Sequence, residues 1–212
     1  MYQPQYCEEN AYFLTRALSE RTDAAFAVFI SNTDAAVPFW LQKAGGAKSD
    51  GGVVWDYHVI VVTRGGDGVV DGGAPSAASA APLTDGTGGA GGASLVWDLD
   101  STLPFPTPLA DYAEHGLRAH GSAGLPARFR RLYRVVPAAA LLRKFASDRS
   151  HMRSGDGNWL APPPPWEPIV SDSGETMNLN RWRCMDSPRD DGEFGVVMSE
   201  PDFLAFFFAP KR

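Results

Sequence analysis

The ten residues VVWDYHVIVV, at positions 53 to 62, carry the strongest strand signal in this sequence. β-Branched and aromatic side chains dominate the segment, and such residues are enriched in strands. A second run of the same kind, SLVWDLDS at 94 to 101, is its expected antiparallel partner. The stretch from Gly65 to Gly92 between the two runs is rich in glycine and alanine, which predicts a flexible, oversized hairpin connection.

The other predicted elements alternate irregularly along the chain. Apolar residues at helical spacing predict a helix that begins near Cys7, and a second helix is predicted over 109 to 120. Further strands are predicted over 25 to 32, over 130 to 137 and around FGVVMSE. A parallel doubly wound sheet would need a regular alternation of strands and helices. The order therefore favours a single α+β domain, residues 1 to 212, with helices that flank a mainly antiparallel sheet.

Charge and apolar content exclude two classes of partner. Nineteen basic and 25 acidic side chains give a net charge of -6, and no run of lysine and arginine suggests a phosphate-binding surface. No apolar run approaches the roughly 18 residues that span a bilayer, and the first residues lack the pattern of an export signal. We therefore expect neither nucleic acid nor a membrane as a partner.

Cys7 and Cys184 are too few for the disulfide framework of a small secreted domain. We therefore expect free thiols, a structural role for Cys184 and a reducing compartment, the cytoplasm and also the nucleus. No paired metal-ligand spacing connects the four histidines, which are His58, His115, His120 and His151. We predict no metal site. His115 and His120 fall in a polar helix and should be solvated, whereas His151, in a polar loop, is a second candidate for chemistry.

Cys7 lies where the first helix is predicted to begin. The positive end of the helix dipole favours a thiolate there and lowers the thiol pKa, whereas Glu8 and Glu9 oppose this effect. A histidine alongside would complete the activation by holding the cation of a thiolate-imidazolium pair. His58 is the best candidate, since it interrupts a strand of otherwise buried residue types.

Strand alternation predicts the neighbours of His58. The two faces would carry Val54, Asp56, His58 and Ile60 on one side and Trp55, Tyr57 and Val59 on the other. A histidine in so apolar a strand requires a polar partner. The following strand offers Asp98 and Asp100, two residues apart on one face, and either could orient the ring through a hydrogen bond. Alternation does not choose between them.

Each of these residues also has a purely structural interpretation. A lone cysteine is often a small buried hydrophobe, a strand histidine is often a satisfied core residue, and an aspartate after a strand commonly caps a turn. Only the combination of Cys7, His58 and an aspartate, in this order on a helix start and two strands, indicates a cysteine hydrolase.

Seven blocks of the sequence resemble the protein N-terminal glutamine amidohydrolase family in their order and approximate spacing. They are YCEEN, VFISN, WDYHVI, WDLDSTLPFP, FASDRSHM, GNW followed by PPPP, and MNLN, and they extend from about Tyr6 to about Met185. By this similarity Cys7 matches the nucleophile, His58 the general base, and Asp98, the first acid of WDLD, the third member of a catalytic triad. The resemblance implies a papain/transglutaminase-like core and no cofactor.

The resemblance further implies hydrolytic deamidation of N-terminal glutamine in proteins and peptides, through a thioester, to give glutamate and ammonia. The product would feed the arginine branch of the N-degron degradation pathway. An enzyme restricted to chain termini must bind the substrate α-ammonium group. Glu8, Glu9 and Asp148 are candidates for this role, and Arg149 and Ser150 would line the same cleft. We expect a monomer.

Two other functions would use the same residues. A cysteine peptidase or a transglutaminase-like acyl transferase would apply the triad to another acyl group. A non-catalytic binder of protein N-termini would keep Cys7 only as a packing residue. Thiol labelling near neutral pH distinguishes the binder, because an ordinary thiol with a pKa of about 8.5 is mostly protonated there.

Overall fold

The computed structural model describes residues 1–22, 24–46, 52–65, 92–122, 124–186 and 193–209. Its helices are α1 (Cys7–Ser19), α2 (Leu109–Asp111), α3 (Ala119–Ser122), α4 (Ala138–Lys144), α5 (Leu179–Arg183) and α6 (Glu200–Phe208). Its strands are β1 (Ala25–Ser31), β2 (Val37–Phe39), β3 (Val53–Trp55), β4 (His58–Thr63), β5 (Leu95–Trp97), β6 (Thr107–Pro108), β7 (Leu132–Pro137) and β8 (Val196–Ser199). None of the helices in these ranges has the length and apolar content that a membrane crossing requires.

Six strands form one sheet in the order β6-β5-β4-β1-β7-β8, and β2 pairs with β3 in a separate two-stranded sheet. Every neighbouring pair in the large sheet is antiparallel. The predicted α+β class with a mainly antiparallel sheet is therefore confirmed. The segments predicted for the first helix and for three further strands are occupied by α1, β1, β7 and β8.

β4 and β5 pair as the sequence predicted, with Val61 opposite Trp97. Their connection, the predicted flexible stretch from Gly65 to Gly92, lies outside the described residues except for its two ends. Those ends approach so closely that a Cβ atom on Gly65 would lie 1.4 Å from the carbonyl oxygen of Gly92. Only glycine fits at position 65 in this arrangement.

The strand predicted over 53 to 62 is broken in two. β3 ends at Trp55 and β4 begins at His58, so the chain passes from the small sheet to the large one at Asp56 and Tyr57. The predicted alternation holds within β4. It is wrong for Trp55, whose ring stacks on that of His58 at a centroid distance of 6.3 Å. Alternation fails at such a corner because the period of two applies only to a continuous strand.

Helices cover both faces of the large sheet, so its central strands are buried on both sides. Along β1, Ala27 and Phe29 face the layer of α1, α4 and α5, whereas Val28 and Ile30 face α2 and α6. Phe29 is 0% exposed and stacks on Trp182 of α5 at 5.7 Å. Burial of one such side chain stabilises the fold by roughly 2 to 3 kcal/mol. The two-sided core holds the start of β4 and the start of α1 in fixed positions.

The helix predicted over 109 to 120 is interrupted. α2 continues as a π-helical turn, Tyr112–Gly116, and α3 begins only at Ala119. A Cβ atom on Gly116 would lie 3.2 Å from the Tyr112 ring, so the turn packs this ring tightly. π-Helical turns of this kind are frequent at functional sites, and this one directs the Tyr112 hydroxyl toward Asp98.

Candidate active site

α1 begins at Cys7, and the segment before it holds this start in place. Asn10 donates a hydrogen bond from Nδ2 to the carbonyl of Gln3 at 2.7 Å and accepts one from the Gln3 amide at 2.8 Å. The Tyr6 hydroxyl donates to the carbonyl of Ala161 at 3.2 Å. Tyr6 is the N-cap residue, and its side chain does not cap the first turn of α1.

Cys7 is half-buried and packs on the face of the sheet that α1 covers. A small cleft beside it is lined by Val59 of β4, Trp97 of β5 and Asp100. The Cys7 thiol donates to Oε2 of Glu8, with a distance of 3.7 Å between sulfur and oxygen. Within the described residues, the Cys7 thiol therefore donates its hydrogen bond to Glu8 and not to His58.

The pKa of the Cys7 thiol is raised well above its usual value. Burial is the largest cause, the charges of Glu8 and Asp100 add to it, and a hydrogen bond from the Val59 backbone acts in the opposite direction. The net pKa is therefore raised, and the opposition that was expected from Glu8 is joined by burial and by the charges of Asp100 and Asp56. Cys7 is therefore held as a thiol.

The ring of His58 is buried against Asp98, and its Nε2 lies 2.9 Å from Oδ1 of the carboxylate. Trp55 stacks on one side of the ring, and Phe39 meets it edge-on at a centroid distance of 5.1 Å. Burial alone would lower the pKa of His58, but the charge and hydrogen bond of Asp98 outweigh burial, and the pKa is raised. The aromatic rings fix the orientation of the imidazole, and the carboxylate favours its protonated form.

Asp98 accepts hydrogen bonds on both carboxylate oxygens. Oδ1 accepts from His58 and from the backbone of Asp100 at 2.9 Å, and Oδ2 accepts from Gln42 at 3.0 Å and from the Tyr112 hydroxyl at 2.8 Å. Burial raises the pKa of Asp98, but His58 and these donors outweigh it, and the pKa is about 2. Alternation left Asp98 and Asp100 open. In the structure Asp98 meets the ring, whereas Asp100 accepts the hydroxyl of Tyr2 at 2.7 Å.

His58, Asp98 and Asp100 each offer a ligand atom within 4.8 Å of the others, which is close enough to surround a cation. A cation at this place would compete with the four donors that already occupy both oxygens of Asp98. Because these donors orient the carboxylate toward an imidazole, the arrangement suits the positioning of His58 better than metal binding.

Glu8 is buried beside Cys7. Its Oε2 accepts from the Tyr57 hydroxyl at 2.9 Å as well as from the thiol. Its Oε1 lies 3.4 Å from Nε2 of His151, in an orientation that makes no hydrogen bond. His151, the second candidate among the histidines, thus lies next to the acid that contacts Cys7. His115 and His120 are exposed, as predicted.

The other predicted substrate-binding residues have different surroundings. Glu9 accepts two hydrogen bonds from the Arg149 guanidinium, at 2.9 and 3.0 Å, and one from Trp166 at 2.7 Å. Arg149 is buried and directed at Glu9, so its polar end does not face the cleft at Cys7. Asp148 and Ser150 are exposed, and Oδ1 of Asp148 accepts from the Ser150 backbone at 2.8 Å.

Both cysteines are free thiols, as expected. Cys184 is exposed, and its backbone carbonyl accepts a hydrogen bond from Arg134 at 2.6 Å. Its sulfur lies 3.9 Å from Oδ2 of Asp186.

Comparison with known proteins identifies the family. A family model described as N-terminal glutamine amidase matches residues 2–207. The chain belongs to this family. An Arabidopsis thaliana protein named protein N-terminal glutamine amidohydrolase is 43% identical over 188 residues, and the match covers 86% of this chain and 74% of the relative. Proteins of the same name from Bos taurus and Homo sapiens are each 34% identical, over 98% and 88% of this chain and 86% and 78% of their own lengths. The resemblance seen in the motifs is confirmed.

The part matched to the N-terminal glutamine amidase family includes residues that sequence reasoning missed. Gln42 and Tyr112 donate to Asp98, and Tyr57 donates to Glu8. Gln42 lies 56 positions before Asp98, and no local pattern marks it. Tyr57 carried one usable signal, since it directly precedes His58 at the point where the strand breaks.

Proposed function

We propose that this protein hydrolyses the side-chain amide of N-terminal glutamine in proteins and peptides, giving N-terminal glutamate and ammonia. The observation that carries the proposal is the buried His58–Asp98 pair at the start of β4, together with a cysteine at the start of α1, the helix that packs on β4. The relatives support the reaction, because they are named protein N-terminal glutamine amidohydrolase. Chains that begin with glutamine are then the substrates.

Cys7 is the nucleophile in the proposed reaction. His58 takes the proton of the thiol, and the sulfur attacks the side-chain carbonyl carbon of glutamine. His58 then gives this proton to the leaving nitrogen, so ammonia departs and a thioester remains. Water loses a proton to His58 as it attacks the thioester, and Cys7 recovers that proton when glutamate leaves.

Asp98 orients the ring in this proposal and stabilises its cation. Because Nε2 of His58 is bonded to Asp98, Nδ1 is the nitrogen that exchanges protons with the thiol, the leaving group and water. The carboxylate stays ionised at neutral pH, since its pKa is about 2. It therefore favours the imidazolium at each step in which His58 holds a proton.

The tetrahedral intermediates carry a negative oxygen that needs hydrogen-bond donors. The backbone N–H of Cys7 is one proposed donor, because the N-cap side chain of Tyr6 does not cap the first turn of α1. The positive end of the 13-residue helix adds to this stabilisation.

A papain/transglutaminase-like core is part of the same proposal. It is supported by a helix that begins with cysteine and packs on an antiparallel sheet, with histidine on one strand and aspartate at the end of the next. The same arrangement suits a cysteine peptidase or a transglutaminase-like acyl transferase. Family membership favours the amidohydrolase over these and over a non-catalytic binder of N-termini.

The cellular setting follows from the proposed reaction. An N-terminal glutamate is a substrate for arginylation, so the product would enter the arginine branch of the N-degron pathway. We place the protein in the cytoplasm and also the nucleus, as a monomer that needs no cofactor and acts on protein N-termini.

The test is ammonia release from four matched peptides incubated with the wild-type protein. One begins with glutamine, one begins with asparagine, one begins with acetylated glutamine, and one carries glutamine only internally. We expect release from the first peptide alone. Release from the internal glutamine would favour a transglutaminase-like enzyme, backbone cleavage would favour a peptidase, and no reaction with any peptide would overturn the proposal in favour of a binder.

A further inference from the structure

Glu8 is a buried acid that accepts hydrogen bonds on only one of its carboxylate oxygens among the described residues. Oε2 accepts from the Tyr57 hydroxyl at 2.9 Å and from the Cys7 thiol at 3.7 Å. Oε1 is buried and has no hydrogen-bond partner in the part of the chain that the structure describes. A buried carboxylate oxygen without a partner is costly, so this position favours the addition of a cation.

His151 lies against the unsatisfied side of Glu8. Its Nε2 is 3.4 Å from Oε1, and both of its ring nitrogens are buried without a hydrogen-bond partner among the described residues. The side chain of His151 is 13% exposed, whereas that of Glu8 is 0% exposed. A ligand would therefore reach Glu8 from the side of His151, and the ring would have to shift to admit it.

Glu8 differs in this respect from the other acids considered for the substrate amine. Glu9 already holds the guanidinium of Arg149, so its charge is neutralised within the protein. Asp148 is exposed and accepts a backbone hydrogen bond from Ser150. Among these three acids, Glu8 alone combines burial, an unsatisfied oxygen and contact with Cys7.

The distances suit a glutamine whose side chain is under attack at Cys7. The reacting carbonyl carbon would lie about 3 to 3.5 Å from the sulfur. Four bonds, which extend to about 5 Å, separate this carbon from the α-nitrogen of the same residue. Since Oε2 of Glu8 lies 3.7 Å from the sulfur, its carboxylate is within reach of that nitrogen.

We propose that Glu8 binds the α-ammonium group of the N-terminal glutamine, and that this binding releases the Cys7 thiol for attack. The inference rests on the proposed function and adds a link between recognition and activation. In the free protein the carboxylate accepts the thiol hydrogen and repels a thiolate. The ammonium group neutralises the carboxylate, keeps its own protons, and leaves the thiol proton to pass to His58.

The electrostatics of Cys7 agree with this link. After burial, the charge of Glu8 is the largest cause that raises the pKa of the thiol, and Asp100 and Asp56 also raise it. Among the described residues, the titratable side chains in contact with Glu8 are those of Cys7, Tyr57 and His151. Neutralisation of Glu8 therefore removes the negative charge that acts most strongly on Cys7.

The first test compares Glu8→Gln with wild type on two peptides. One begins with glutamine, and the other carries the same side-chain amide on a glutaric acid monoamide cap that lacks the α-amine. For wild type, kcat/KM should be about 100-fold or more higher for the peptide that begins with glutamine, because the capped peptide has no ammonium group to bind Glu8. Glu8→Gln should lose activity on the first peptide only, so that the preference falls below about tenfold.

Asp34→Asn, which changes an exposed acid in the turn after β1, is the matched control for this test and should keep the wild-type preference. If wild type deamidates both peptides equally, or if Glu8→Gln keeps the full preference, Glu8 does not bind the amine. If wild type releases ammonia from neither peptide, the proposed function itself fails, which is a different result.

The second test measures the thiol directly and needs no turnover. In a Cys184→Ser background, the rate at which iodoacetamide alkylates Cys7 is followed against pH. Glu8→Gln should move the midpoint of this profile to lower pH, because it removes the charge and the strong acceptor. Identical midpoints in two folded proteins would show that Glu8 does not restrain the thiol, and would overturn the activation half of the inference.

Discussion

Asp98 and Glu8 are both buried acids, but their surroundings give them different electrostatic effects. Four donors surround Asp98 and keep it charged, which favours a cation on His58. Glu8 instead raises the pKa of Cys7 and holds its proton. The free protein therefore favours the protonated form of both residues, an imidazolium at His58 and a thiol at Cys7.

Asp98→Asn should lower kcat for a peptide that begins with glutamine by roughly 100- to 10,000-fold. The amide keeps the shape of the side chain, but it removes the charge that favours the protonated ring of His58. Steady-state ammonia release measures the effect. Asp100→Asn is the matched control, with a loss of less than about tenfold, because Asp100 bonds Tyr2 and not the ring. Equal losses in the two variants would contradict the assignment of Asp98.

Residue identities were predictable where a local pattern carried them. Cys7 stood out by its position at a helix start, and His58 by its position in an apolar strand. Alternation could not choose between Asp98 and Asp100, and that choice came from family resemblance. Gln42 stayed hidden because its role arises only when the fold brings it to Asp98.

At the scale of elements, α1 is joined to the loop after α4 by a buried ion pair. Glu9 in the first turn of α1 is bonded to Arg149, whose backbone has a φ of 65°, a conformation that costs a residue other than glycine about 1 kcal/mol or more. The guanidinium also donates to the carbonyl of Trp166 at 2.7 Å. This pair positions the helix start that carries Cys7.

Arg149→Met should lower the free energy of unfolding by roughly 3 to 5 kcal/mol, because it leaves Glu9 buried without its partner. Urea denaturation measures the loss, and the double variant with Glu9→Gln should recover part of it. Arg181→Met is the matched control, with an effect of less than about 1 kcal/mol, since its ion pair with Glu175 is exposed. If Arg149→Met also lowered the free energy of unfolding by less than about 1 kcal/mol, the buried ion pair would not be what holds α1 in place.

The π-helical turn that follows α2 is the second element that shapes the site. Tyr112→Phe should lower kcat about tenfold and the free energy of unfolding by about 1 kcal/mol, because it removes one hydrogen bond to Asp98. Tyr133→Phe removes a buried hydroxyl bonded to Glu200 and should cost similar stability without the loss of kcat. Equal kcat values in the two variants would show that the Tyr112 hydroxyl does not support the reaction.

Elements were predictable where a segment carried its own period. The apolar stripe of α1 and the β-branched residues of β1 and β4 identified these elements. The corner at Asp56 and Tyr57 and the π-helical turn were missed, because each depends on packing against distant parts of the chain. The corner matters most, since it brings Trp55 onto the ring of His58.

At the scale of the whole molecule, the stability of the protein should depend on pH through Asp98. Its pKa falls from 3.8 to about 2 on folding, so its contribution is present above about pH 4 and is lost as the pH falls toward 2. The contribution is about 2 kcal/mol. As the pH falls from about 4 toward 2, the difference in unfolding free energy between wild type and Asp98→Asn should therefore shrink by about 2 kcal/mol.

Urea titrations at a series of pH values measure this difference. Asp148→Asn serves as the control, because the side chain is exposed and its curve should run parallel to that of wild type. A constant difference between wild type and Asp98→Asn from pH 5 to the acid limit of folding would show that Asp98 is not held in its charged form by the fold.

Cys7 is the proposed nucleophile for amide hydrolysis at N-terminal glutamine. The most direct measurement is ammonia release from a glutamine-initiated peptide by wild type, Cys7→Ala and Cys184→Ala. We predict full activity in Cys184→Ala, because the Cys184 thiol is exposed and has no role in the proposed reaction. We predict no activity above background in Cys7→Ala. Activity retained in folded Cys7→Ala, or lost equally in both variants, would contradict the account.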